Sequence, residues 1–187
     1  SVADLTASRA CDSVGPMKTA FLFPGQGAQH PGMGKDLFDA HASVRKLFRT
    51  ASEALGTDME RLLFHGTEED LRATDKAQGA ITLVNLAAAA ALEDRGILPA
   101  GVAGFSLGEY AALAAAKVLP VEAVFALVRF RGEVMEKSSR RLDGPDGSPG
   151  MAAVMGLDFP AVQEAIRGSG LTGLFAGFTI EFFLELF

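Results

Sequence analysis

The sequence predicts an α/β fold with parallel strand pairing. Short apolar runs alternate with helix-period patterns through about the first 140 residues, the alternation that places helices on a mostly parallel sheet. One run, residues 19–23, stops at Pro24-Gly25, and another, residues 101–105, enters a Gly-x-Ser-x-Gly pattern at Gly104-Phe105-Ser106-Leu107-Gly108. Strand, sharp turn and helix is the context that makes such a pattern a nucleophile elbow. A hydrophobic fraction of 49% over 187 residues is ample for a buried core.

This length allows one domain, or one plus part of another. With 21% charged residues, a net charge of −6 and no basic stripe interleaved with aromatics, the composition argues against a nucleic-acid partner. Cys11 is the single cysteine, so no internal disulfide forms and nothing demands an oxidising compartment. His30, His41 and His65 lack ligand spacing, and no metal site is expected. Residues 1–16 carry Asp4 and Asp12 without an apolar core. They read as a tag, linker, presequence remnant or disordered leader ahead of Met17-Lys18, not as a signal peptide. The expected location is the cytoplasm, with a mitochondrial or plastid matrix as the alternative and no membrane involved.

Residues 19–23 (TAFLF) read as a buried first strand, and residues 24–29 follow as a tight loop. The loop is no dinucleotide fingerprint, because His30 stands where the last glycine should be. Nor is it a P-loop, since Gly34-Lys35 runs into Asp36 and Gln29 occupies the place of the first glycine. Residues 37–55 put Phe38, Val44, Leu47, Phe48, Ala51 and Leu55 on one helical face, with Arg45, Lys46, Arg49 and Glu53 off it. A shorter helix covers residues 58–64, and Thr67 caps another helical turn over 68–71. Residues 78–95 form a long alanine-dominated helix stopped by Gly96, whose all-alanine patch 87–91 is either close helix packing, favoured beneath a central sheet, or a plain high-propensity filler.

Residues 101–105 are the second strand and 107–117 the helix that follows. Between them, the glycines two residues either side of Ser106 let strand and helix approach closely. Ser106 then lies at a helix N-terminus, where free N–H groups favour developing negative charge. A simpler reading makes Ser106 an N-cap, because Ser106-Leu107-Gly108-Glu109 is also a capping box. A capping serine needs no Gly104 and gains nothing from Gly108, which costs a helix about 1 kcal/mol. The two readings are compatible.

Pro120 opens the next helix, residues 121–138. Val124, Leu127, Val128, Arg131, Val134 and Met135 share one face, with Glu122, Arg129, Glu133 and Glu136 on the other. Arg129 is thus a solvated charge able to pair with Glu133. Arg131 is the exception, a guanidinium on an apolar stripe that needs an acceptor if buried or must snorkel to the edge. Residues 143–150 (DGPDGSPG) are a loop and the best domain boundary. Residues 151–155 read as a strand, and Asp158 caps a helix through Arg167 with Pro160 in its first turn. Beyond residues 168–170, five of the fourteen phenylalanines crowd into 175–187, an odd finish for a soluble chain and too short for a membrane span.

At Phe21-Leu22-Phe23-Pro24-Gly25-Gln26-Gly27-Ala28-Gln29, taken with Gly104-Phe105-Ser106-Leu107-Gly108-Glu109-Tyr110, the chain resembles the malonyl-CoA:acyl carrier protein transacylase family. That family includes the acyltransferase domains of fatty-acid and polyketide synthases. The two motifs lie 80 residues apart, and the pair is far more specific than either alone. The resemblance runs over residues 19–167. It implies an α/β-hydrolase-like core over residues 17–142, with a parallel sheet and a nucleophile elbow. The start of a ferredoxin-like small subdomain would cover 150–170, leaving 171–187 as an atypical Phe-rich tail. It further implies that Ser106 takes the malonyl group as an ester, and that the N–H groups of Gln26 and Leu107 form the oxyanion hole. Arg131, by the same resemblance, grips the free malonyl carboxylate, which a planar fork of donors suits. The implied cosubstrates and partners are malonyl-CoA, as a CoA thioester, and phosphopantetheinylated acyl carrier protein, with no metal or bound cofactor.

Two departures stand out. The family usually has His before the serine, and Phe105 here changes the pocket beside the nucleophile without removing a base. The family's catalytic histidine lies farther past the serine than the 81 residues this sequence continues. His30, His41 and His65 all precede the elbow, and only His30, near Gln26, could stand in. On this resemblance the chain is expected to be the N-terminal half of the enzyme joined to an unrelated tail, truncated and lacking its catalytic histidine. The alternatives are a non-catalytic fragment or assembly module of the same fold, and an esterase-type serine hydrolase. The latter gives no reason for Arg131 on an apolar face. A malonate decarboxylase acyltransferase subunit shares the motifs.

Overall fold

The computed structural model describes residues 18–141, 154–171 and 176, and the backbone of 182–185. In chain order they form β1 (Ala20–Phe23), α1 (Lys35–Ala40), α2 (Ala42–Leu55), α3 (Met59–His65), α4 (Thr74–Glu93), β2 (Gly101–Gly104), α5 (Gly108–Ala115), α6 (Val121–Arg140), α7 (Phe159–Ser169) and β3 (Phe182–Glu185). The class is α/β, as the alternation predicts. The leader over 1–16 with Met17, and the loop over 143–150, lie outside the described residues.

β1 and β2 pair in parallel with Phe23 opposite Gly104. Their carboxyl ends therefore lie side by side, and Phe105 N–H extends the ladder by donating to the Phe23 carbonyl at 3.0 Å. Phe21, Phe23 and Val102 join the same buried cluster as Leu107, Ala111 and Ala112, whereas Leu22 is 73% exposed. The first strand is thus buried on one face rather than both, and the period-two alternation of a half-covered strand emerges. β3 runs antiparallel along the other edge of β2, with Phe182 opposite Gly104, so the sheet is mixed. An open edge accepts a strand in either direction because both ladders satisfy its backbone groups. Part of the Phe-rich tail therefore serves as an edge strand.

α4 is the central helix, packed against α6, α2 and α5. Ala77, Ala80, Leu83 and Ala87 have no exposed surface, and the small side chains let neighbouring helices approach closely. Within the alanine patch Ala87, Ala89 and Ala91 are buried, in keeping with close helix packing. α4 begins at Thr74, four residues ahead of the predicted start, which places Gln78 inside the helix and wholly buried.

The helix predicted over 37–55 divides at His41, whose extended backbone (φ −120°, ψ 125°) ends α1 and opens α2. Its ring Nδ1 hydrogen-bonds Asp94 at 3.0 Å, and Ser43 Oγ donates to the same carboxylate at 2.6 Å. Phe38, Phe48 and Phe64 tie α1, α2 and α3 together, with ring centroids 4.9–5.4 Å apart. Asp58 caps α3 by accepting from Arg61 N–H at 2.9 Å. Residues 68–72 form turns, not the helical turn predicted. Thr67 and Asp70 close on each other there, Thr67 N–H donating to Asp70 at 2.9 Å and Asp70 N–H to Thr67 Oγ1 at 3.2 Å.

α6 continues two residues beyond its predicted end, and its buried face is Val124, Phe125, Val128 and Gly132. Leu127 and Val134, predicted on that face, are 43% and 45% exposed. Packing selects a narrower strip than the apolar pattern offers. Arg129 pairs with Glu133 at 3.7 Å and also donates to the Ala54 carbonyl at 3.0 Å. Of the strand predicted over 151–155, residues 151–153 lie outside the described set, while Val154 and Met155 are exposed and irregular. Asp158 caps α7 as predicted, accepting from Ala161 N–H at 2.9 Å.

Candidate active site around Ser106

Ser106 sits in a turn made by close backbone approach. Its φ of 51° is left-handed, a conformation that costs a non-glycine residue about 1–3 kcal/mol. The turn is closed by Gly108 N–H on the Phe105 carbonyl at 2.8 Å and Glu109 N–H on the Ser106 carbonyl at 3.2 Å. The flanking glycines are dictated by space. A Cβ on Gly104 would fall on the backbone of Gly108 and Glu109, and one on Gly108 would fall on the Phe23 carbonyl oxygen. The capping box does not form: Leu107 holds the cap position of α5, and no side chain caps it. Ser106 is left exposed at the turn's tip, while Leu107 is buried beneath it.

The loop after β1 lies against this turn. A Cβ on Gly25 would stand 2.8 Å from the Phe105 carbonyl oxygen and 3.2 Å from a ring carbon of Phe105. The Phe105 ring thus covers Gly25 and remains 48% exposed. Gln26 follows directly and is exposed. Gln29 Oε1 accepts from Gly27 N–H at 2.9 Å, and Asn85 Nδ2 donates to the Pro24 carbonyl at 3.0 Å.

Arg131 reaches the same place from α6. Its Nη1 donates to Gln78 Oε1 at 2.7 Å and its Nη2 to Ser106 Oγ at 3.3 Å. The Tyr110 ring lies beside it, 5.9 Å from guanidinium carbon to centroid. Gln78 supplies the acceptor that an arginine on an apolar stripe requires. Its own Nε2 donates to Met135 Sδ at 3.3 Å, one turn beyond Arg131 on α6.

Gln78 and Asn85 were not singled out by sequence reasoning. A signal exists: Gln78, Thr82 and Asn85 recur at i, i+4 and i+7 in an alanine-rich helix, and all three are buried. Thr82 Oγ1 has no hydrogen-bond partner among the described residues.

His41 and His30 each have a hydrogen-bond partner other than Ser106. His41 is bound to Asp94, which lies 16 residues along the helix from Gln78, about 24 Å at 1.5 Å per residue. His30 Nδ1 hydrogen-bonds the Pro31 carbonyl at 3.0 Å, and His65 ends α3. Among the described residues no three His, Cys, Asp or Glu side chains gather as a metal site requires, and no helix is long and apolar enough to cross a membrane.

Residues 20–165 match the acyl transferase domain family. Over 147 residues the chain is 41% identical to the malonyl CoA-acyl carrier protein transacylase of Bacillus subtilis (strain 168), covering 79% of this chain and 45% of that protein. The crystal structure of MCAT from Streptococcus pneumoniae aligns with a TM-score of 0.72 at 38% identity, covering 84% of this chain and 50% of that one. A malonyl-transacylase in complex with its type II PKS acyl-carrier protein aligns with a TM-score of 0.62 at 37% identity, covering 65% of this chain and 40% of that one. The chain spans about half the length of the curated relatives it matches. A family match across residues 20–165, on a fold shared at this level of identity, makes the chain a member of the acyl transferase domain family.

Proposed function

We infer that the chain carries the nucleophile and acyl-binding half of a malonyl-CoA:acyl carrier protein transacylase. The observation that carries this reading is the 3.3 Å contact between Arg131 Nη2 and Ser106 Oγ. A thioester whose carbonyl carbon meets Ser106 brings a group close behind that carbonyl within reach of the guanidinium. A free carboxylate there accepts charge-assisted bonds of about 2.7–2.9 Å. Malonyl satisfies both ends.

Ser106 Oγ attacks the thioester carbonyl and its proton passes to a general base, the role that the resemblance gives to the family's histidine. Negative charge gathers on the carbonyl oxygen, where the N–H groups of Gln26 and Leu107 and the start of α5 stabilise it. The carbon–sulfur bond breaks, the CoA sulfur takes the proton, and malonyl remains on Ser106 as an ester. The phosphopantetheine thiol of an acyl carrier protein then attacks that ester, gives up its proton through the base and releases the Ser106 hydroxyl. Covalent transfer in two halves predicts ping-pong kinetics.

Intact mass spectrometry after incubation with malonyl-CoA tests the reading. The expected result is a malonyl adduct on Ser106 that Ser106→Ala abolishes and that holo acyl carrier protein removes. An unmodified wild-type chain overturns it.

A further inference from the structure

We propose that Asn85 is a positioning residue of acyl transfer, whose side-chain amide anchors the Pro24 carbonyl and so sets the height of the Gln26 loop over Ser106. The chemistry rests on the transferase reading; the anchoring rests on geometry alone.

Asn85 is 9% exposed on a helix whose buried positions are mostly apolar, so its amide needs a partner to justify its burial. That partner is the Pro24 carbonyl, 3.0 Å away and 61 residues distant in sequence. Proline has no N–H, so a side chain reaching its backbone must bring a donor, which Asn provides and an isosteric Leu does not. Pro24 directly follows the last residue of β1, so its carbonyl lies beyond the β1–β2 ladder. One residue on, Gly25 is pressed against the Phe105 carbonyl with no space for a Cβ. The loop is thus held at two consecutive residues, by α4 at Pro24 and by the elbow at Gly25. With proline's φ already restricted, these two holds orient the peptide that bears the Gln26 N–H.

Gln78, two turns earlier on the same helix, holds Arg131. One rigid element therefore spaces the carboxylate grip from the oxyanion donors. The two anchors differ in consequence. Loss of Gln78 affects only substrates with a free carboxylate, whereas loss of Asn85 affects every thioester.

The test uses the whole 187-residue chain with Asn85→Leu, which keeps volume and removes the donor, and Asn85→Ala as a second variant. Acylation of Ser106 by malonyl-CoA and by acetyl-CoA is followed by intact mass, and amide hydrogen exchange is read over residues 24–29. Both variants are expected to acylate about tenfold to a hundredfold more slowly with either thioester, in equal proportion. The half-saturating malonyl-CoA concentration stays within about twofold, which separates transition-state positioning from substrate binding. Exchange of the loop amides rises about tenfold while α4 exchange is unchanged. Unaltered loop exchange, a rate loss confined to malonyl-CoA, or faster exchange throughout α4 overturns the proposal. Absence of any adduct on the wild-type chain overturns the transferase reading instead, and loop exchange then decides the anchoring by itself.

Discussion

Gln78 and Arg131, 53 residues apart in sequence, share a 2.7 Å hydrogen bond whose acceptor is wholly buried. A buried acceptor is a fixed one, so the guanidinium of half-buried Arg131 is aimed at Ser106 before any substrate arrives. Gln78→Leu removes that aim and leaves the charge without its partner. A hydrogen bond to a charged group contributes about 1.5–3 kcal/mol. Chemical denaturation should register a loss of that order, and malonyl-over-acetyl preference in Ser106 acylation should fall about tenfold or more.

Arg131→Ala separates substrate recognition from stability. Malonyl-CoA presents a free carboxylate and acetyl-CoA does not. The malonyl rate should drop about tenfold to a hundredfold, from about 1.5–3 kcal/mol, while the acetyl rate moves little. Equal losses for the two thioesters would mark the arginine as purely structural.

Gly108→Ala tests the elbow's construction. The added methyl would fall on the Phe23 carbonyl oxygen, a backbone atom of the neighbouring strand that is also bonded to Phe105 N–H. Relief requires β1 and α5 to separate, at an overpacking cost of about 1–3 kcal/mol or more. The midpoint of thermal unfolding should fall by several degrees, whereas Gly101→Ala, with open space around it, should leave it nearly unchanged.

Thr82→Val is expected to stabilise the protein. The hydroxyl is fully buried with no partner among the described residues, and such a group costs about 1–3 kcal/mol. Valine keeps the branched shape and removes the unpaired oxygen. A urea midpoint raised with unchanged slope confirms the expectation, and a lowered midpoint refutes it.

Asp94 gives a pH signature. Hydrogen bonds from Ser43 first and His41 second hold its carboxyl below the usual range, with desolvation acting weakly the other way. A depressed folded-state pKa adds stability that is fully present above the unfolded value of about 4 and is lost as pH falls through the folded one. The stability gap between wild type and Asp94→Ala should therefore shrink as pH falls below about 4. A gap that persists at strongly acid pH would show that the carboxylate is not its source.

Much of the site was legible because its parts are encoded by near neighbours in the chain. Gly104, Ser106 and Gly108 specify an elbow within five residues, and Ser106 indeed takes the strained left-handed φ. Asp58 and Asp158 announce helix starts three residues before the amides they accept from. Misreadings arose where a distant residue decided. Asp94 draws His41 and Ser43 to itself across more than 50 residues and coincides with the break between α1 and α2. The turn over 68–72 is the exception, closed locally by Thr67 and Asp70 three residues apart without propagating a helix.

By itself the sequence determined the α/β class, the elbow at Ser106, the glycine-rich loop after β1 and the anomaly of Arg131. Only the tertiary structure decided that Gln78 answers the arginine, that Asn85 holds Pro24, and that β3 joins β2 in the antiparallel sense. The reason is range. Caps, turns and periodicity act between residues up to about four apart, so the local chain states them openly. A buried donor or acceptor, by contrast, is chosen by which segments packing brings together, and here those segments lie 53 and 61 residues apart.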